Sequence, residues 1–180
     1  MSHRLFVAHR PPRAVREALL AIMHSLPGAR WQDDAQLHLT LRFVGEIDAP
    51  RAEDLATEME RVRAAPFPLA IESVGHFEKK GRPHTLWAGV TASQPLAVLH
   101  GRIERACRKA GLEPETRHFT PHITLARLNS ASASPGSFIA EHSALTSEPW
   151  TLDAFDLVES HLGNEGSRYE TIYRYRLSPA

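Results

Sequence analysis

The chain writes one short phrase twice: HLTLRF, His38 to Phe43, and PHITLAR, Pro121 to Arg127, with His122 following His38 by 84 positions. The surroundings repeat as well. LFVA, a helical stretch and HLTL run from Leu5 to Leu41; LWAG, a helical stretch and HITL run from Leu86 to Leu125, at offsets of 81 to 84 residues. In 180 residues, self-similarity at a nearly fixed spacing points to two related halves rather than to a string of separate domains.

Hydrophobic periodicity supplies the elements. RLFVAH reads as a strand closed by Pro11-Pro12, and Val15, Leu19, Ile22 and Leu26 then keep helical spacing until Pro27-Gly28. HLTLRFVG is a strand, and Asp48 is placed to cap a second helix with Ala52, Leu55, Met59 and Val62 inside. FPLAIESVGHF and HTLWAGV are strand-like runs joined by a polar turn, and a helix from about Pro95 to Ala110 stops at Gly111 before HITLAR. Ser130 to Ser137 reads as a surface loop. WTLDAFDLVES and YETIYRYRL close the chain, the latter with Tyr169, Thr171, Tyr173, Tyr175 and Leu177 on one strand face. The expected fold is α+β: residues 1–180 as a single bilobal domain of two pseudo-symmetric lobes, each an antiparallel sheet facing the other, with helices outside and a groove between.

Composition narrows what the groove handles. With 21 basic and 21 acidic side chains, the formal net charge is zero, so no global field holds a long nucleic acid and any such ligand is gripped locally. No apolar run reaches the roughly 20 residues that span a bilayer, and MSHRLFVAHRPP lacks the pattern of a secretory signal. The cytoplasm is the expected compartment. The single cysteine, Cys107, shares a helical stripe with Leu96, Leu99 and Ile103 and reads as a core thiol.

Residues two apart on a strand point the same way, so His38, Thr40 and Arg42 are expected on one face and Leu39, Leu41 and Phe43 on the other. His122 and Thr124 repeat the pattern. If the halves face each other, two imidazoles flank a common point with two hydroxyls beside them. One neutral and one protonated imidazole can act as base and acid on a phosphodiester, while hydroxyls donate to the oxygens where transition-state charge collects. The alternative, histidines ligating a metal, is weaker: there is no HxH, no HExxH, no second cysteine and no acidic residue in either phrase. The chemistry expected here needs no metal and no cofactor.

The paired HxT phrases, with RLFVA, HLTLRFVGE, LWAGV, FTPHITLAR and the closing LVES and RYE in order, resemble the 2H phosphoesterases, and among them the RNA 2',3'-cyclic phosphodiesterase branch, also called 2'-5' RNA ligases. The resemblance covers almost the whole chain. It implies hydrolysis of RNA or oligonucleotide 2',3'-cyclic phosphate ends to 2'-phosphates, with 2'-5' ligation as the reverse reaction, by a monomer. Small nucleotide cyclic phosphates and a non-catalytic RNA-end binding module are the competing readings. Carried over, His38 is the proton donor to the leaving O3', His122 the proton acceptor that activates water, and Thr40 and Thr124 hold phosphate oxygens. Arg127 matches a phosphate-contacting position, although strict alternation sets it opposite His122. Arg42, near Glu46, is left outside the site. Phe77 and Trp87 are expected in the core, Lys79 to His84 as a solvated hairpin tip, and His161 stands where arginine is common.

Overall fold

Both histidine phrases lie at the centre of the fold, on adjacent strands. In the computed structural model, which describes residues 1–179, the first phrase leads into β3 (Leu39–Asp48) and the second forms β7 (His122–Arg127). Outward from β3 come β1 (Ser2–His9), β9 (Ala154–Gly163) and β10 (Gly166–Arg176); outward from β7 come β6 (Arg82–Val90) and β5 (Ile71–Lys79), with the two-residue β2 (Arg30–Trp31) also pairing β7. Every pairing is antiparallel. Two antiparallel sheets are present as expected, but they do not simply face each other. The Leu39–Ile123 pair joins them edge to edge into one eight-stranded sheet.

The helices α1 (Arg13–Leu20), α2 (Ala49–Met59) and α3 (Gln94–Lys109) bury one stripe each: Val15 and Leu19; Leu55 and Met59; Leu96, Leu99, Ile103, Ala106 and Cys107. These side chains form one core with Leu5, Val7, Leu39, Leu41, Leu86, Ala88, Ile123 and Leu125 from the strands. The Asp48 carboxylate accepts from the Arg51 amide at 3.0 Å, as a cap should, and Ser93 does the same for Leu96. Burial pushes the Cys107 thiol up to about 12, so it is an inert core group.

Several boundaries differ from the sequence reading. The first helix ends at Leu20, where the ladder tightens into the bonds Ile22 to Leu19 and Met23 to Leu20; Ser25 then takes a positive φ of 64°, while Leu26 still reaches the core from the turn. FPLAIESVGHF divides at Ala70 and WTLDAFDLVES at Asp153; β4 (Phe67–Leu69) and β8 (Trp150–Leu152) pair with each other as a separate two-stranded sheet. A short helix, α4 (Gly136–His142), begins inside the segment read as a loop. In β10 an unpaired Ile172 shifts the register between Thr171 and Tyr173. The tyrosines therefore do not share one face: Tyr169 packs on Phe6, whereas Tyr175 is buried on the core side, donating to the Ala56 carbonyl.

Candidate active site

The rung between the halves fixes the direction of the histidines. Leu39 and Ile123 are both fully buried in the core beneath the helices. By alternation, their neighbours His38, Thr40, His122 and Thr124 project to the opposite face of the sheet. Neither threonine hydroxyl is engaged by another side chain among the described residues.

One irregularity appears at the same place in both phrases. Val7 pairs with Arg42 and Ala8 with Thr40, leaving Leu41 unpaired; Leu86 pairs with Ala126 and Trp87 with Thr124, leaving Leu125 unpaired. Leu41 and Leu125 are 84 positions apart, like the histidines. The ladders also place Val7, not Leu5, in correspondence with Leu86, which corrects the sequence alignment of LFVA with LWAG by two residues and leaves the faces unchanged.

A bulge inverts the parity of the residues beyond it. Arg127 thereby returns to the face of Thr124, contrary to strict alternation, and donates through Nη1 to the Thr85 hydroxyl at 2.9 Å. Phe43, expected on the apolar face, is 41% exposed instead, with the Arg4 guanidinium 5.3 Å from its ring centre. Arg42, expected on the polar face near Glu46, is turned inward. It binds the Glu104 carboxylate at 2.6 Å and the carbonyls of Phe43 and Glu113.

A cavity of about 590 Å³ lies on this face, lined by Thr40 and Arg127 from the two phrases together with Phe43, Gln36, Trp31 and Tyr169 among others. His38 lies behind this lining, with the rings of Phe6 and Tyr169, both cavity-lining, 6.0 and 5.6 Å away edge-on. His122 and Thr124 lie on the neighbouring strand outside the cavity lining. Phe77 meets the His122 ring at 4.8 Å and 90°, and Trp87 backs it at 6.1 Å, so both aromatics buttress a histidine. Phe43, Gln36 and Tyr169 were missed in the sequence. For Phe43 a signal existed: it holds the place in the first phrase that Arg127 holds in the second.

The two imidazoles differ in how they are held. His122 Nδ1 lies 2.6 Å from the Thr120 carbonyl, which can only accept, so Nδ1 carries the hydrogen and Nε2 keeps its lone pair in the neutral ring. Burial lowers the His122 pKa, and the Arg127 charge lowers it further. Burial also lowers that of His38, to about 4; the neighbouring Gln36 backbone pulls the other way, although Nδ1 has no partner in hydrogen-bond geometry. Both rings are thus neutral at pH 7 when no anion is present. An approaching phosphate diester raises both pKa values, since its negative charge favours imidazolium.

Paired HxT strands meeting at one rung of an α+β sheet place the chain in the 2H phosphoesterase class. Within that class, the family model of the 2'-5' RNA ligase superfamily matches residues 7–164, and the chain belongs to this superfamily. It is 28% identical over 159 residues to an RNA 2',3'-cyclic phosphodiesterase of Aeropyrum pernix, covering 87% of this chain and 90% of the relative. It is likewise 28% identical over 183 residues to the enzyme of that name from Escherichia coli, covering 97% of each. Among solved structures, that of TT0787 of Thermus thermophilus superposes with a TM-score of 0.82 at 26% identity over 98% of both chains.

Proposed function

We propose that this protein hydrolyses the 2',3'-cyclic phosphate ends of RNA or oligonucleotides to 2'-phosphomonoesters by histidine acid–base catalysis without a metal. His122, its Nε2 lone pair fixed by the Thr120 carbonyl, takes a proton from the attacking water. His38 gives a proton to the departing O3', which requires that the bound diester first raise its pKa from about 4. The hydroxyls of Thr40 and Thr124 and the Arg127 guanidinium hold the non-bridging oxygens as charge develops on them. The observation that carries this reading is the Leu39–Ile123 rung, which brings the two HxT strands side by side with both histidines on one face. The names of the full-length relatives support the substrate class.

We read residues 1–180 as one bilobal unit acting as a monomer in the cytoplasm. The buried, unpaired Cys107 suits a reducing compartment, and no helix among the described residues is long and apolar enough to cross a membrane. A panel of small 2',3'-cyclic nucleotides and cyclic-ended oligonucleotides, with products resolved by phosphorus NMR, tests the reaction. Accumulation of 2'-phosphates is expected; a 3'-phosphate product, or tight binding without conversion, would refute it.

A further inference from the structure

A second group of ionisable side chains gathers on the other side of the sheet. Ser160 lines the groove-side cavity, so its strand neighbours Glu159 and His161 project to the opposite face, where Glu170 of β10 pairs with Glu159 and His3 of β1 reaches across. His161 Nε2 lies 3.1 Å from Glu170 Oε2 and 3.9 Å from Glu159 Oε2. One donor atom from each of these three residues falls within 4.8 Å of the other two. His3 Nδ1 meets the remaining oxygen, Glu159 Oε1, at 2.8 Å.

Hydrogen bonds alone, one N–H from each of His3 and His161, would leave the two carboxylate charges side by side and not neutralised. The spacing suits a different neutraliser. Donors about 2.0–2.2 Å from a tetrahedral zinc lie roughly 3.3–3.5 Å from one another, a value that 3.1 and 3.9 Å bracket. His3 holds the second oxygen of Glu159 and so orients the carboxylate, as the outer partners of metal ligands do. One imidazole with two carboxylates, half exposed, leaves a fourth position for water.

We propose that Glu159, His161 and Glu170 bind a divalent cation of the zinc class, with His3 as the orienting partner of Glu159. The ion clamps β9 to β10 and, through His3, to β1. It sits on the face opposite His38 and His122, so it stabilises the sheet without entering the reaction.

The test is calorimetric titration of the full chain with zinc chloride beside thermal unfolding with and without the metal. His161→Arg keeps a cation next to both glutamates while removing the donor nitrogen, and Glu159→Gln keeps the shape while removing charge. One equivalent is expected to bind wild type at micromolar concentrations and raise the unfolding midpoint by several degrees. Both variants should lose at least tenfold in affinity with turnover of a cyclic nucleotide unchanged. Absence of binding up to millimolar zinc would overturn the proposal. So would binding that survives in both variants and disappears in His122→Ala, which would put the metal in the groove.

Discussion

At neutral pH the imidazoles of His38 and His122 are both uncharged, and each must acquire its role from the substrate's charge. The ring with the more depressed pKa, His38 at about 4, is the one proposed to donate a proton. Two-dimensional NMR of the histidine rings should therefore show the His38 pKa rising by at least one unit when a 2'-nucleotide binds; no change would remove its case as the acid. In the free enzyme the productive state pairs protonated His38 with neutral His122, so kcat/KM should peak on the acidic side of 6.5. Arg127→Ala should cut kcat/KM about 10- to 100-fold, in line with about 1.5–3 kcal/mol for a charge-assisted hydrogen bond, and should raise the His122 pKa because a lowering charge is gone. The common face of His38 and Thr40, and of His122 and Thr124, was legible from strand alternation, since all four precede the bulges. Phe43, Arg42 and the placement of Arg127 were not, because each comes after an inserted residue that periodicity does not reveal.

At the scale of elements, the duplicated bulge is what completes the groove, and the β5–β6 hairpin is what steadies His122. A Cβ added at Gly75 would fall 2.5 Å from Trp87 Cη2, so only glycine lets that indole pack against β5, from where it meets the imidazole at a tilt of 53°. Gly75→Ala should displace Trp87, destabilise the fold by about 1–3 kcal/mol and lower kcat more than it raises KM; chemical denaturation and steady-state kinetics read the two effects. Wild-type kinetics in that variant would show the indole to be a passive filler. The helices and most strands were legible in hydrophobic period and capping residues such as Asp48. The divisions at Ala70 and Asp153, the bulge at Ile172 and helix α4 were not, because each depends on which distant strand is available to pair.

For the whole molecule, four histidines share one electrostatic consequence of being packed. Burial is the leading cause that lowers the pKa of His9, His38, His100 and His122 below 6.5. Between the folded and unfolded values the unfolded chain binds protons that the folded chain excludes, so stability falls as pH drops from about 6.5 towards about 4. His38 alone contributes on the order of 3 kcal/mol to that loss. Urea midpoints over this range should decline, and His38→Ala should flatten the slope; a pH-independent midpoint would contradict the burial of these rings. The repeated phrase made a two-part α+β molecule legible before any coordinates, yet how the parts join was not, since a single cross-strand pair leaves no mark in composition or period. The claim that this joint assembles a two-histidine catalyst is tested most directly by incubating cyclic-phosphate-ended RNA with wild type, His38→Ala and His122→Ala in the presence of a chelator, folding being monitored by circular dichroism. The account predicts 2'-phosphate product from wild type and at least a thousandfold loss in each folded variant; turnover that survives in either variant, or that the chelator abolishes in wild type, would contradict it.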